Sequence, residues 1–376
     1  MSYQSRFSFC GTPVISKKTD AKRPFYKEIT KKDEKTKENK RMLSMTFGVK
    51  ETDMNMAFVE AFDSQQKVIK TMDIDNEKLD VDWEDRFDED IIAKVANYRK
   101  YIVDLGDEHG GRQEFITVYD MIEHLNKYMP DYKGRVVVTG QFTRDWYAKK
   151  KTYFSKFRVQ NVFAAPEERK NRLLLNMDLF YNRDSLDDSD FDETKKMTLD
   201  CYIEQYISKD EGRKYVPIQV VFSGAKYDLT NEKHKKLFDY KMKYVKVKNK
   251  NMVHIPWEIV LLRGAEETEF NESMLTDSQR EQVELGIKTV DDFRPKGNIY
   301  GDRIDEFRLF EPKLEGDFAD GVLECDDTAD EFEEKIYAPA ADETMEEAKK
   351  NSKAKKEEDE PPFDADAEED DSDDLF

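Results

Sequence analysis

The residues best suited to chemistry in this chain are aromatics and cations set close together. Residues 152–163 read TYFSKFRVQNVF. Period-2 alternation puts Phe154, Lys156, Arg158 and Gln160 on one face, and Tyr153, Ser155, Phe157, Val159 and Phe163 on the other. An aromatic beside cations and an amide suits stacking on a base and neutralising phosphates. The polar stretch before it adds Arg144, Trp146, Tyr147, Lys149, Lys150 and Lys151. Two aromatics at a polar hairpin tip are not placed as core residues are. Residues 233–250 hold eight lysines and one acid. Here Tyr240, Lys241, Lys243, Tyr244, Lys246 and Lys248 interleave, and Lys246, Lys248 and Lys250 are expected on one strand face. Tyr215 and Tyr227 are further stacking candidates, whereas Trp257 in HIPWEIVLL reads as core. Lysine meets phosphate without reading base edges, so the expected binding has little sequence preference.

Catalysis finds less support. The four histidines, His109, His124, His234 and His254, show neither HExxH nor Cys/His ligand spacing. No phosphate-binding GxxxxGK[ST] loop and no GxGxxG occurs. No cofactor or metal is implied, and the chain is read as a non-enzyme. Acids are so abundant that no pair stands out, which keeps a metal-dependent nuclease as one alternative. An acidic structural or assembly protein is another.

The 376 residues carry 62 Lys+Arg and 83 Asp+Glu, a net charge of −21. The 39% charged fraction is well above the ~25% usual in soluble domains. The charge is unevenly placed. Residues 1–50 hold 13 bases against 5 acids, residues 133–163 hold 8 against 1, and residues 209–263 hold 13 against 6. Residues 324–376 hold 23 acids against 6 bases. Basic stretches joined to one acidic appendage point to a polyanionic partner. With 24 Phe, 18 Tyr and 3 Trp there is material for real cores. No apolar run reaches the roughly 18 residues of a membrane span, and the N-terminus lacks a signal-peptide apolar region. Three distant cysteines, Cys10, Cys201 and Cys325, argue for a reducing compartment, the cytoplasm.

The elements that must position these residues repeat an order. Residues 1–41 read as a basic arm. Arg41–Val49 alternates as a strand, with Leu43, Met45, Phe47 and Val49 inward. Met56–Asp63 is a second strand. Residues 85–105 show helical spacing. Gln113–Val118 is a strand, and 118–129 a helix capped by Thr117. Strands over 135–144 and 152–163 follow, with Gly140 at a sharp bend. Downstream, strands over 173–181, 199–207 and 214–224 precede a helix at 230–242, then a final strand pair at 243–248 and 252–262. Short strands with one helix before the final pair are the layout of an OB-fold, a partly open Greek-key barrel. The expected fold is mainly β with short helices: two OB-like barrels, 42–165 with a helical insertion and 172–270. A helical extension at 271–323, with Thr276 and Gln279 as a capping box, and an acidic disordered tail at 324–376 complete the chain.

The chain ends Asp370-Asp371-Ser372-Asp373-Asp374-Leu375-Phe376. This tip resembles that of bacterial single-stranded-DNA-binding proteins, and phage replication proteins of the same function have similar acidic tails. The bacterial proteins usually end Pro-Phe after a Gly/Gln/Pro-rich linker, so a phage-type protein is the better match. The resemblance implies single-stranded-DNA binding and protection in DNA replication, recombination or repair. It gives Asp370, Asp371, Asp373, Asp374, Leu375 and Phe376 the role of docking replication or recombination proteins. It also implies that the tail competes with DNA for the basic groove. No membrane partner is expected, and a homo-oligomer is one option.

Overall fold

The computed structural model describes residues 5–16, 23–32, 39–268, 272–295, 299–313 and 323–337. Strands β1 (Arg6–Val14), β2 (Tyr26–Lys32), β3 (Asn39–Thr52) and β4 (Asn55–Ser64) open the fold. The region expected as a basic arm therefore supplies two strands where it is described. Phe7 and Phe9 are buried and pack edge-on against Phe157, at 5.6 and 4.9 Å between centroids. Their alternation with Ser8 is too short a signal to outweigh the basic composition around it. In β3 the inward file is the expected one: Leu43, Met45, Phe47 and Val49 are all buried.

Next come β5 (Val68–Met72) and β6 (Lys78–Asp82), a separate hairpin, then α1 (Glu89–Lys94), β7 (Tyr101–Asp104), β8 (Arg112–Phe115) and α2 (Val118–Tyr128). The helix expected over 85–105 is thus one short turn and a strand. Its apolar periodicity misleads because Phe87 and Tyr98 stay exposed, while Val103 is buried from a strand. Thr117 caps α2 as expected, accepting from the Asp120 amide. Two long strands, β9 (Val136–Tyr147) and β10 (Thr152–Ala164), complete this half.

The second half runs β11 (Arg172–Tyr181), β12 (Leu186–Asp187), α3 (Phe191–Thr194), β13 (Lys196–Ser208), β14 (Gly212–Ser223), α4 (Glu232–Val245) and β15 (Val253–Thr268). Then follow α5 (Asp277–Glu284), β16 (Ile299–Pro312), β17 (Leu323–Glu324) and α6 (Ala329–Lys335). Three expectations are corrected here. The strand expected at 243–248 does not form: α4 continues to Val245, and a loop carries Lys246–Met252. Val245 and Val247 look like strand residues, but Val245 closes the buried side of the helix. The partner of β15 is instead β16, inside the segment expected to be a helical extension. Its Leu309 is buried, and Phe307 meets Phe142 at 5.5 Å. Finally, the segment expected to be disordered from 324 folds through Tyr337. The Thr328 side chain and Glu331 form a capping box on α6, and Phe332 is buried against Phe180 and Tyr215.

The strand pairings close on themselves twice. In the first ring β1 pairs with β3, β3 with β4, β4 with β10, β10 with β9, and β9 with β1. In the second ring β11 pairs with β13, β13 with β14, β14 with β16, β16 with β15, and β15 with β11. In each ring the third and fifth strands meet in parallel and the other pairs are antiparallel. A helix, α2 or α4, lies between the third and fourth strands. Gly140 sits where β9 crosses β1 and β10. A Cβ there would lie 1.9 Å from the Arg158 carbonyl oxygen, so only glycine permits the approach. The rings are joined through their equivalent first strands, Arg6–Cys10 of β1 running antiparallel to Arg172–Asn176 of β11. One buried core runs through both.

Candidate nucleic-acid interface

The inward side of the first ring is filled by Ala57, Val59 and Ala61 of β4 and by Phe157 and Val159 of β10. Alternation then forces their neighbours outward. Register aligns Arg158 with Glu60 across β10 and β4, with Phe58 and Phe62 two residues to either side on β4. Across β10 and β9, Phe154 lies opposite Asp145 and Lys156 opposite Thr143. One outer surface therefore carries Phe58, Phe62, Phe154 and Tyr147 together with Lys156 and Arg158. Phe62 and Phe154 are 38% and 41% exposed. The rings of Tyr147 and Phe154 meet edge-on at 5.5 Å. The Arg23 guanidinium lies 4.6 Å from the centroid of Phe58.

Asp145 sits among these cations. Its carboxylate is 3.0 Å from the Lys156 ammonium and 3.5 Å from the Arg158 guanidinium. Arg158 is 56% exposed at its side chain. Such partly exposed pairs are weak enough to exchange for another anion. The hairpin tip between β9 and β10 carries Lys149, Lys150 and Lys151, all exposed. Lys151 takes the left-handed conformation that the turn requires, with φ 49°.

The same alternation divides the residues expected at this hairpin. Tyr147, Phe154, Lys156 and Arg158 share the outer surface. Arg144 and Trp146 point to the opposite side. Trp146 meets Tyr153 at 5.0 Å. Arg144 donates to the Pro217 carbonyl at 2.6 Å, and its amide donates to Gln205 Oε1 at 2.8 Å. Burial lowers its pKa. Arg144 thus ties the first ring to the second. Phe58, Phe62 and Arg23 were not singled out from the sequence. The signal available was the run Ala57-Phe58-Val59-Glu60-Ala61-Phe62, in which the aromatics occupy the face opposite the small aliphatics.

The residues expected in the second half do not form one surface. Tyr240 and Tyr244 meet at 5.4 Å on α4, with Lys243 exposed one turn away. Lys246 is in the following loop, its ammonium 2.5 Å from Asp188. Lys248 and Lys250 lie farther along that loop, so the three lysines do not share a strand face. Tyr215 is 4% exposed, and Phe332 of α6 stacks on it at 4.0 Å. Its hydroxyl donates to Asp327 at 2.8 Å, and burial followed by Asp327 and Cys325 pushes its pKa up. Tyr215 is core in this fold and does not offer its face to a ligand. Asp370, Asp371, Asp373, Asp374, Leu375 and Phe376 lie outside the described residues.

Among the described residues no group of His, Cys, Asp and Glu could hold a metal ion. No helix among them is long and apolar enough to cross a membrane. Cys10, Cys201 and Cys325 are free thiols, the first two buried.

No protein-family model and no curated protein matches the chain. Among solved structures it is similar to the single-stranded DNA binding protein from Thermus aquaticus. A deletion mutant of that protein aligns at 9% identity, over 69% of this chain and 89% of that one, with a TM-score of 0.27. The wild-type structure aligns at 7% identity, over 69% and 87%, with a TM-score of 0.28.

Proposed function

We propose that the two rings are OB-like Greek-key barrels and that the chain binds single-stranded DNA along the outer surface of the first. Five strands with the third and fifth parallel, and a helix before the fourth, have the order of that fold. In OB-folds the second and third strands and the first and last interstrand loops carry oligonucleotides. Those strands are β3 and β4 here, and the last loop is the Lys149–Lys151 tip. The observation that carries the reading is the join of Phe58, Phe62, Phe154 and Tyr147 with Lys156 and Arg158 on one surface. Aromatic faces stack any base, and cations track the backbone, so binding of this kind is sequence-tolerant. The protein would coat and protect strands exposed in replication or recombination in the cytoplasm. Its C-terminal Asp370–Phe376 would dock partner proteins.

Fluorescence anisotropy with single-stranded and duplex oligonucleotides at two salt concentrations tests this. Single strand should be preferred, with oligo-dT and mixed sequences within a few-fold of each other. If about 5–8 phosphates are met, log K should fall with log[salt] at a slope of about −3.5 to −5.6. A preference for duplex, or a flat salt response, overturns the reading.

A further inference from the structure

Where the first ring faces the second, a cleft of about 770 Å³ opens. Its walls come from the β3–β4 turn, the start of β11, the segment after β14, α4, and the outer side of β15 and β16. Five basic side chains line it, Lys50, Arg172, Lys226, Lys241 and Arg308, against two acids, Glu51 and Asp53. Lys241 is 7% exposed. Its ammonium donates to the Phe310 carbonyl and lies 5.1 Å from the Phe310 ring centroid. The Arg172 guanidinium lies 4.7 Å from the same centroid. Lys50 is held by Asp53 at 2.9 Å, and Arg308 by Glu306 at 2.6 Å. Neither Arg172 nor Lys226 has a carboxylate at ion-pair distance among the described residues. A cleft with this excess of cations suits a phosphate-bearing ligand.

The cleft continues the surface already described. The outward file on β3 is Ser44, Thr46, Gly48 and Lys50, opposite Phe62, Glu60, Phe58 and Met56 on β4. Following β4 from Phe62 past Phe58, the next outward pair is Met56 and Lys50, about 7 Å on at strand rise. Lys50 is itself a wall of the cleft.

We infer that the cleft holds the phosphodiester backbone of the strand as it leaves the first ring, with Lys50, Lys226 and Arg172 meeting successive phosphates. This rests on the reading of the first-ring surface as strand-binding. It adds a direction, from Phe62 through Phe58 into the cleft. It also makes the interaction electrostatic there and stacking-based on the surface before it. Lys241, buried and held by the Phe310 carbonyl, supplies fixed positive potential at the back of the cleft.

Two oligo-dT lengths test it: about 4 nucleotides, near the lower limit for one OB-fold, and about 16. The proteins are the full chain, Lys226→Ala, and Lys226→Ala with Arg172→Gln. Lys226 is exposed, so its variant should melt with the parent; the double variant is used only if its melt agrees. Affinity for the longer strand should fall several-fold in the single variant and further in the double. Its salt slope should become shallower by about 0.7 for each phosphate that is no longer neutralised. The short strand, accommodated by Phe62, Phe58 and Phe154, should bind all three proteins alike. If both variants bind the longer strand as the parent does, the cleft is not on the strand's path and the inference fails. Inorganic tripolyphosphate forms a third arm. If it binds the parent and not the variants while the longer strand is unaffected, the cleft takes free anions and the inference also fails. If the parent binds neither strand, the underlying reading fails instead.

Discussion

Phe154 and Phe157 are three residues apart, one 41% exposed and the other 1%, and that difference decides what each can do. Replacing Phe154 or Phe62 by Ala should cost about 1–3 kcal/mol of strand affinity where a base stacks. The melting curve should barely move, because neither ring is buried. Tyr215→Ala should behave in the opposite way. It would open space beneath Phe332 and lower stability by about 3–5 kcal/mol, the range for large buried aromatics. Strand affinity measured below the melt should stay near the parent's. Equal affinity losses for Phe154→Ala and Tyr215→Ala would place the bases elsewhere. Phe154, Lys156 and Arg158 were legible from alternation alone, because β10 has one apolar face. Tyr215 was not, since its cover arrives from α6, more than 100 residues later in the chain. Arg144 was not legible either, since the Pro217 carbonyl that holds it is supplied by the other ring.

At the scale of elements, α2 carries a test of its packing. Its His124 lies between Phe115 and Tyr128, with centroids at 5.4 and 4.7 Å. Burial, aided by Lys127, lowers its pKa. The unfolded chain therefore takes up this proton at a higher pH than the folded one. Its share of stability is fully present above the ordinary histidine value of about 6.5 and is lost as pH falls toward the depressed folded value. A pH series of thermal melts should show that decline, and His124→Phe should flatten it. An unchanged profile in the variant would assign the decline to other groups. The β9–β10 hairpin carries a second test. Changing Lys149, Lys150 and Lys151 to Ala together should make the salt slope shallower by about 0.7 for each phosphate they meet, at an unchanged melting temperature. A slope equal to the parent's would take the tip off the strand. The long strands β3, β9, β10, β11, β13 and β14 were readable because each alternates over many residues. β1 and β16 were not. The first sits in basic surroundings, and the second mixes acids and bases that pair across strands, as Glu306 does with Lys196 at 2.6 Å. The order of strands and helix survived the misplaced fifth strand, because the lysine-rich end of α4 filled its place in the pattern.

At the scale of the whole molecule, charge is segregated along the chain. Residues 338–376 hold 16 acids and 5 bases. A tethered polyanion competes with a strand for basic surface at high effective concentration. Removing residues 357–376 should therefore tighten strand binding, most at low salt. Removing Leu375 and Phe376 alone should leave strand affinity nearly unchanged and abolish capture of a partner protein, since the apolar anchor is gone and the acids only steer. Pull-downs that survive loss of the dipeptide would make the tip a solubilising end. Truncations that reach α6 belong to a different class, because they uncover Phe180 and Tyr215. The ladder between β1 and β11 has a mechanical consequence as well. The two rings share backbone hydrogen bonds from Arg6 to Cys10, so no slack linker sets the angle between them. A protein with hinged barrels loses interdomain freedom each time it closes on a ligand. Here that ordering is already complete when the chain folds, so under the proposed function a bound strand would be the partner that bends to fit.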